Sequence, residues 1–223
     1  NTLIIAVLKT LIGTAVPIVV SLLLNECRNV AAKRTIQTMI YFPYFISWII
    51  LSGVLVDILS PTDGLVNDLV KAFGGEPIYF LGDNKYFQGT LVVSDVWRNF
   101  GYNSVVYLAA ITGIDMTLYE AASIDGANRW QQTWHVTLPG MSTIVILNLG
   151  NLLNAGFDQV FNLYSPAVYE TGDIIDTMVY RMGLEQAKFG PSTAVGLLKS
   201  VVSFLLISSA YLIAYKKFDY KVF

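Results

Sequence analysis

The residues able to do chemistry in this chain are polar side chains at helical spacing inside apolar segments. One set recurs at intervals of three or four residues and shares a helix face: Asn148, Asn151, Asn154, Asp158 and Asn162. A second helix face carries Asp95, Arg98, Asn99, Tyr102 and Asn103. Polar groups in hydrocarbon are costly unless they face water or a bundle interior. Both faces are therefore expected to point inward.

Nucleophilic and metal-binding chemistry has little support in the residue counts. The chain holds a single cysteine, Cys27, and a single histidine, His135. One cysteine excludes an intrachain disulfide, and this pair cannot build a zinc site of the usual kind. The near balance of 14 Lys and Arg against 16 Asp and Glu also argues against a nucleic-acid-binding protein.

The elements that must carry these side chains are membrane-spanning helices. The chain is 54% hydrophobic and only 13% charged, whereas a soluble domain carries about 25% charge. A helix crossing the hydrocarbon needs about 20 mostly apolar residues. Five segments reach that length: residues 2–24, 35–59, 87–114, 141–163 and 194–215. The predicted fold is an all-α, polytopic membrane helical bundle, with one domain over residues 1–223.

Orientation follows from the cations in the connections, because cytoplasmic loops hold the excess of Lys and Arg. One side collects seven: Arg28, Lys33, Arg34, Arg129, Lys216, Lys217 and Lys221. The other side has four: Lys71, Lys85, Arg181 and Lys188. The C-terminus is therefore predicted to be cytoplasmic and Asn1 to lie outside. The chain starts without Met at the edge of a span, so a sixth, N-terminal span is expected upstream.

Two lysines within the apolar segments receive separate predictions. Lys9 is the only charged residue of the first segment and is expected to snorkel outward. Lys199 lies near the outer end of the last segment and is expected to be interfacial.

The segment between the third and fourth spans, residues 115–139, is too polar to cross a bilayer. Its spacing predicts a short helix, a turn at Asp125-Gly126 and a second short helix. Pro139 suits the first turn of the fourth span, where its missing N–H is not required. On periodicity alone, an ordinary interfacial hairpin would explain the segment.

The motifs in this segment carry a resemblance to a known family. Glu120-Ala121-Ala122, then Gly126, then Val136-Thr137-Leu138-Pro139 resemble the EAA loop of binding-protein-dependent ABC importer permeases of the MetI-like type. The departure is Val136, where the family usually has Ile. Residues 119–127 are typical of carbohydrate permeases, and residues 42–48 and 107–111 resemble the LplB-like branch, which is associated with oligosaccharide and aldouronate uptake.

The resemblance implies that residues 115–139, named the coupling segment below, dock onto a cytosolic ATPase dimer. The positions carried over from the family are Glu120, Ala121, Ala122, Asp125, Gly126, Ala127, Leu138 and Pro139. It also implies a second, different permease subunit, an extracytoplasmic solute-binding lipoprotein and a location in the bacterial plasma membrane, surrounded by lipid. The sequence contains no G-x-x-x-x-G-K-[ST] motif, so ATP-Mg is expected on the partner, and no catalytic role or bound cofactor is expected here.

A sugar pathway is the hypothesis for the two polar faces. The residues expected to hydrogen-bond sugar hydroxyls are Asn148, Asn151, Asn154, Asp158, Asp95, Asn99, Tyr102 and Asn103, with Tyr102 also stacking on a ring. The alternative is interhelical hydrogen bonding, with Asp95 and Arg98 neutralising each other at i, i+3. Two other classes stay open: an ion-coupled secondary transporter, which could use such charges as a relay, and a purely structural membrane subunit.

Overall fold

The computed structural model describes residues 1–149 and 152–218. The α-helices in this part of the chain are α1 (Thr2–Glu26), α2 (Val30–Tyr41), α3 (Trp48–Ile58), α4 (Leu65–Ala72), α5 (Asn84–Thr112), α6 (Met116–Ile124), α7 (Arg129–Gln132), α8 (Leu138–Leu149), α9 (Phe157–Leu163), α10 (Tyr169–Gly172), α11 (Ile175–Tyr180) and α12 (Phe189–Phe218). Short 3₁₀ turns lie at Phe42–Phe45 and Pro166–Val168, and π-helical turns at Thr133–Thr137 and Arg181–Glu185. The predicted all-α helical membrane fold is confirmed.

The long helices α1 and α5 pack against each other and form the centre of the bundle. Near the start of both helices, Ile5 and Ala6 of α1 meet Phe87 and Leu91 of α5 in one buried cluster. Toward the end of α5, Tyr107 and Ile111 pack with Met141 of α8. Burial of such apolar side chains holds the two helices together along their length.

In the part of the chain that the structure describes, two helices are individually long and apolar enough to cross a bilayer: Thr2–Glu26 and Phe189–Lys216. Two further stretches meet the same criterion only as bent pairs. Val30–Phe45 and Trp48–Ile58 meet at 96°, and Asn84–Thr112 and Met116–Ile124 meet at 67°. The span predicted over residues 35–59 is therefore sharply bent, with its break at residues 46–47, directly after the Phe42–Phe45 turn that contains Pro43.

The span predicted over residues 141–163 is also divided. Helix α8 ends at Leu149, and α9 begins only at Phe157. Gly156 precedes α9 with a φ of 83°, a left-handed conformation that favours glycine. The polar spacing through this region predicts one helix face, and that expectation does not hold, since residues 152–156 between the two helices are not helical.

The two ends of the bundle are defined by contacts distant in sequence. At one end, the Asn1 side chain donates to the Glu170 carbonyl, and the Ile175 amide donates to the Thr2 hydroxyl. At the other end, Glu26 forms an ion pair with Arg129 of the coupling segment. Helix α5 starts at Asn84, just after the loop that contains α4, and ends at Thr112, just before the coupling segment. The loop that contains α4 therefore lies at the end of the bundle opposite the coupling segment.

Helix α2 approaches α5 closely at one glycine. A Cβ on Gly101 would lie 1.9 Å from the Ile40 carbonyl oxygen, so only glycine permits this contact. The close approach fixes the position of the first half of the bent span.

Candidate functional site

A cavity of about 370 Å³ lies between α1, α5 and the polar residues around the end of α8. Its lining includes six charged or amide side chains: Lys9, Asp95, Asn99, Asn103, Asn148 and Asn154. The volume lies within the range of small-molecule sites in proteins, about 300–1,000 Å³. Polar groups that face such a space satisfy the requirement that a membrane bundle keep them away from lipid.

Five of the eight residues predicted for a substrate pathway line this cavity: Asp95, Asn99, Asn103, Asn148 and Asn154. Two others lie outside its lining. The ring of Tyr102 stacks on Tyr44 with centroids 4.0 Å apart, and Asp158 is exposed in the first turn of α9. Asn151, the remaining predicted residue, falls outside the described residues.

Hydrogen bonds fix several of the amides that line the cavity. Asn148 Nδ2 donates to the hydroxyl oxygen of the buried Tyr107 at 2.6 Å, joining α8 to α5. Asn99 Oδ1 accepts from Arg98 Nη1 at 3.1 Å. Asn103 makes no side-chain hydrogen bond within the described residues, so its amide is available to a ligand.

Lys9 corrects a prediction, because it does not snorkel outward. Its side chain is buried, with the residue 7% exposed. The Nζ atom donates to the Ala155 carbonyl at 2.6 Å and to Gln159 Oε1, and it lies 3.7 Å from Asp95 Oδ1. A charge buried at this depth needs such partners, because desolvation is otherwise too costly.

Gln159 extends this network to α5. Its amide nitrogen donates to the Leu91 carbonyl and the Ser94 hydroxyl oxygen, each at 2.8 Å. Lys9 and Gln159 thus connect α1, α5 and the α8–α9 turn through buried polar contacts. A Cβ on Gly156 would lie 2.9 Å from Lys9 Nζ, so the turn also needs a glycine here.

Arg98 does not form the i, i+3 pair with Asp95 that the alternative interpretation of this helix face assumes. Its Nε donates to the Ile46 carbonyl at 3.0 Å. Its guanidinium carbon lies 5.3 Å from the Tyr44 ring centroid and 5.0 Å from that of Trp48. The guanidinium prefers these partners because the break at residues 46–47 presents a carbonyl and two aromatic faces.

The second ionic cluster lies at the end of the bundle opposite the coupling segment. Lys199, which is expected to be interfacial, pairs with Asp176 at 2.5 Å and joins α12 to α11. Arg181 pairs with Asp173. The hydrogen bonds that the Arg181 guanidinium donates to the Asp173 carboxylate are the main cause that raises the pKa of Arg181 above its usual value.

The coupling segment folds as a helix, a turn and a second helix. Asp115 caps α6 by accepting from the Thr117 amide at 2.9 Å, and this bond lowers the pKa of the Asp115 carboxyl. The turn after α6 has a φ of 79° at Gly126. The amide of Gly126 donates to Ser123 and that of Ala127 donates to Ala122, which is the Schellman pattern of helix termination.

The second helix of the coupling segment runs without a break into α8. Helix α7 leads into the π-helical turn at Thr133–Thr137, and the Leu138 amide donates to the Thr133 carbonyl. Pro139 lies in the first turn of α8, as the sequence indicates, but that turn follows a π-helical turn and not a loop. No sequence pattern predicts that α7 and α8 form one continuous helical stretch.

The residues of the coupling segment differ in exposure. Glu120, Ala121, Asp125 and Gly126 are exposed around the turn. A groove of about 300 Å³ runs beside them, lined in part by Ala122 and Ala127 together with Gln131, Gln132 and His135. Leu138 instead packs on the buried cluster of Tyr107, Ile111 and Met141, so it anchors the segment to the bundle.

A helical membrane bundle with a polar cavity and an exposed helical coupling element defines the class of membrane transport subunits. Residues 10–218 match the family described as binding-protein-dependent transport system inner membrane component. The chain belongs to this family. The ion-coupled secondary transporter and the purely structural subunit, which the sequence left open, lack this support.

The chain is similar to two curated proteins of Bacillus subtilis. It is 43% identical over 223 residues to Protein LplB, covering 98% of this chain and 70% of that protein. It is 42% identical over 222 residues to the polygalacturonan/rhamnogalacturonan transport system permease protein YteP, covering 98% of this chain and 69% of that protein. These matches confirm the resemblance found in the sequence.

A solved structure gives the corresponding three-dimensional comparison. The chain superposes with a TM-score of 0.91 and 37% identity on a chain of a bacterial ABC transporter involved in the import of the acidic polysaccharide alginate, covering 97% of this chain and 77% of that chain. A second structure of a bacterial alginate ABC transporter, in complex with a pentasaccharide-bound periplasmic protein, gives a TM-score of 0.90 with 36% identity.

Proposed function

We propose that this chain is a permease subunit of an ABC importer that carries an oligosaccharide through the cavity between α1, α5 and α8. The single observation that carries the proposal is the placement of Asp95, Asn99, Asn103, Asn148 and Asn154 around one space inside an apolar bundle. Amides and a carboxylate can donate to and accept from the many hydroxyls of a sugar. One relative is named as a polygalacturonan/rhamnogalacturonan transport permease, and one similar structure belongs to a transporter involved in the import of the polysaccharide alginate; both support a carbohydrate substrate.

The cytosolic ATPase is the proposed partner of the coupling segment. The turn at Gly126 is exposed and is flanked by small alanines, which allow close approach of another surface. ATP-Mg would bind to that partner, because this chain has no P-loop motif. A second permease subunit and an extracytoplasmic binding protein complete the proposed assembly, in the bacterial plasma membrane with the C-terminus of this chain in the cytoplasm.

The proposed transport mechanism depends on the helical connection between the coupling segment and the cavity. Residues 129–149 are helical throughout, from α7 through the π-helical turn to the end of α8. Asn148 lies near the far end of this stretch and lines the cavity. A displacement of the coupling segment by the ATPase would therefore move a cavity wall and alternate the access to the substrate.

Replacement of Asn103 by Leu tests the cavity. The Asn103→Leu variant should lower sugar uptake by about threefold to tenfold, from the loss of one hydrogen bond of about 0.5–1.5 kcal/mol to the substrate. Tyr102→Phe is the matched control on the neighbouring residue, which lies outside the cavity lining, and it should leave uptake unchanged. Equal uptake by Asn103→Leu and the parent, at equal membrane abundance, would contradict the pathway.

Charge reversal at Glu120 tests the coupling segment. The Glu120→Arg variant should lose co-purification with the ATPase while it stays folded in the membrane. Glu185→Arg, at an exposed glutamate on the opposite end of the bundle, is the control and should co-purify as the parent does. Retention of the ATPase by Glu120→Arg would contradict docking at this turn.

A further inference from the structure

Helix α4 carries an apolar face that nothing in the described protein covers. Leu65, Leu69 and Phe73 follow one another at intervals of four residues, and they are 67%, 61% and 91% exposed. The polar residues of α4, which are Asn67, Asp68 and Lys71, lie on the other side of the helix at 100° per residue. The helix is therefore amphipathic, with its apolar side directed away from the protein.

The polar side of α4 is fastened to the loop that follows α3. The Asn67 side chain is fully buried, and its Nδ2 donates to the carbonyls of Ser60 at 2.9 Å and Ile78 at 3.0 Å. Its Oδ1 accepts from the Ile78 amide at 2.7 Å. Lys71 Nζ adds a bond to the Thr62 carbonyl at 3.0 Å. These contacts fix which side of α4 faces the protein.

The level of α4 in the bundle follows from its neighbours. Leu55 of α3 and Leu81 pack on the buried cluster that contains Ile5 and Leu91, near the start of both α1 and α5. Leu59 and Ser60, to which Asn67 is anchored, come one turn after Leu55. Helix α4 therefore lies where the spanning helices end, at the membrane boundary opposite the coupling segment.

The apolar face of α4 follows an exposed apolar surface on the spanning helix α3. Val54 and Val56 of α3 are exposed apolar residues on a spanning element. Helix α3 ends at Ile58, and six residues separate it from the start of α4. Tyr79, which follows the Ile78 that Asn67 holds, is more than half exposed and is of the type enriched at membrane interfaces. A soluble binding protein would cover Leu65, Leu69 and Phe73 only while docked, whereas lipid covers them at all times.

We infer that α4 is an interfacial anchor that inserts Leu65, Leu69 and Phe73 into the bilayer leaflet opposite the coupling segment. The driving force is burial of apolar surface, as in other amphipathic helices that lie in the interface plane. Charge attraction has no part in it, since Asp63, Asp68 and Glu76 outnumber Lys71 in residues 59–79. This inference goes beyond the proposed transport function and does not depend on the substrate.

Spin labels on two faces of α4 test the inference in the assembled transporter. With Cys27→Ser as the background, a nitroxide is attached at Leu69→Cys, at Phe73→Cys or, as the control on the polar side, at Asp68→Cys. The transporter is reconstituted in vesicles of phosphatidylethanolamine and phosphatidylglycerol. Labels at positions 69 and 73 should collide more with oxygen, which partitions into lipid, and less with a water-soluble nickel chelate. The label at position 68 should show the reverse preference.

Each other outcome overturns the inference. Nickel-accessible labels at positions 69 and 73 would place the face in water. Protection from both reagents that appears only on addition of the binding protein would assign the face to that protein. Protection from both reagents in its absence would assign it to the second permease subunit. The thermal midpoint of the labelled variants in detergent, compared with that of the parent, reports whether they are folded. Because this readout does not depend on sugar uptake, a failure of the proposed transport function remains distinguishable from a failure of this inference.

Discussion

Arg129 forms an ion pair with Glu26, and this contact joins the coupling segment to the last residue of α1. The two residues are 103 positions apart in the sequence and both side chains are largely exposed. An exposed pair of this kind contributes about 0–1 kcal/mol to stability. We therefore expect the pair to transmit movement between the coupling segment and α1, and to contribute little to the stability of the fold.

Charge reversal at the Arg129–Glu26 pair should reduce uptake in each single variant, Glu26→Arg and Arg129→Glu, because like charges then repel. The double variant restores attraction and should regain most of the uptake. Sugar uptake and the thermal midpoint in detergent are the two measurements. If the double variant transports no better than the singles, the pair does not link these elements.

Loss of the Lys9 ammonium should destabilise the bundle. In Lys9→Met, the Ala155 carbonyl and Gln159 Oε1 lose their shared buried donor, and the carboxylate of Asp95 loses the cation that lies 3.7 Å away. Removing one member of a buried charged group costs about 3–5 kcal/mol, which should appear as a lower midpoint of thermal unfolding in detergent. Lys9→Met combined with Asp95→Asn removes the unpaired charge and should recover part of the loss. An unchanged midpoint in the single variant would contradict this role.

Two glycines of α5 should respond in opposite ways to alanine. A Cβ on Gly101 would overlap the Ile40 carbonyl, so Gly101→Ala should separate α2 from α5 and cost about 1–3 kcal/mol. Gly89 has open space around its Cβ position, so Gly89→Ala should stabilise the helix by about 0.5–1 kcal/mol. Thermal unfolding of the two variants side by side checks both signs. Equal effects would contradict the close approach at Gly101.

Acid should loosen the start of α6. The pKa of the Asp115 carboxyl lies below its usual 3.8 because the Thr117 amide donates to it, so its contribution is complete above pH 3.8 and is lost as the pH falls through the folded-state pKa. Asp115→Asn keeps an oxygen acceptor without a titrating group and should remove this pH dependence. Hydrogen-exchange mass spectrometry of α6, corrected for the intrinsic rate, distinguishes the two proteins. Equal acid sensitivity in both would contradict the cap.

The sequence predicted the helical class and the helix–turn–helix of the coupling segment for clear physical reasons. Apolar runs long enough to cross a bilayer admit few structures other than helices, and Asp125-Gly126 is a strong turn signal. The left-handed φ of Gly126 follows directly from that signal. Five pathway residues also reach one cavity, because Asp95, Asn99 and Asn103 keep a spacing of four on the unbroken α5.

The remaining details depend on contacts between distant elements, which spacing cannot encode. The burial of Lys9 cannot be predicted from spacing, because its buried partners, Ala155 and Gln159, come some 150 residues later. Helical spacing allows Arg98 to pair with Asp95, but Arg98 instead donates to the Ile46 carbonyl, which the break in the second span leaves without a helical partner. The division of the fourth span cannot be predicted from the sequence, because its asparagines keep a helical interval from α8 to α9 although residues 152–156 are not helical.

The π-helical turn at Thr133–Thr137 has a consequence for the phase of α8. A π-helical turn holds one residue more than an α-helical turn, so it rotates everything that follows by about 100° relative to an uninterrupted α-helix. Asn148 faces the cavity and the Tyr107 hydroxyl with this extra residue in place. Winding the same residues as an uninterrupted α-helix would turn Asn148 away from the cavity, whereas deleting one residue between 133 and 137 would convert the turn to α geometry and leave Asn148 facing the cavity, because the lost residue and the lost widening compensate. The wide turn therefore sets which side chains of α8 face the cavity.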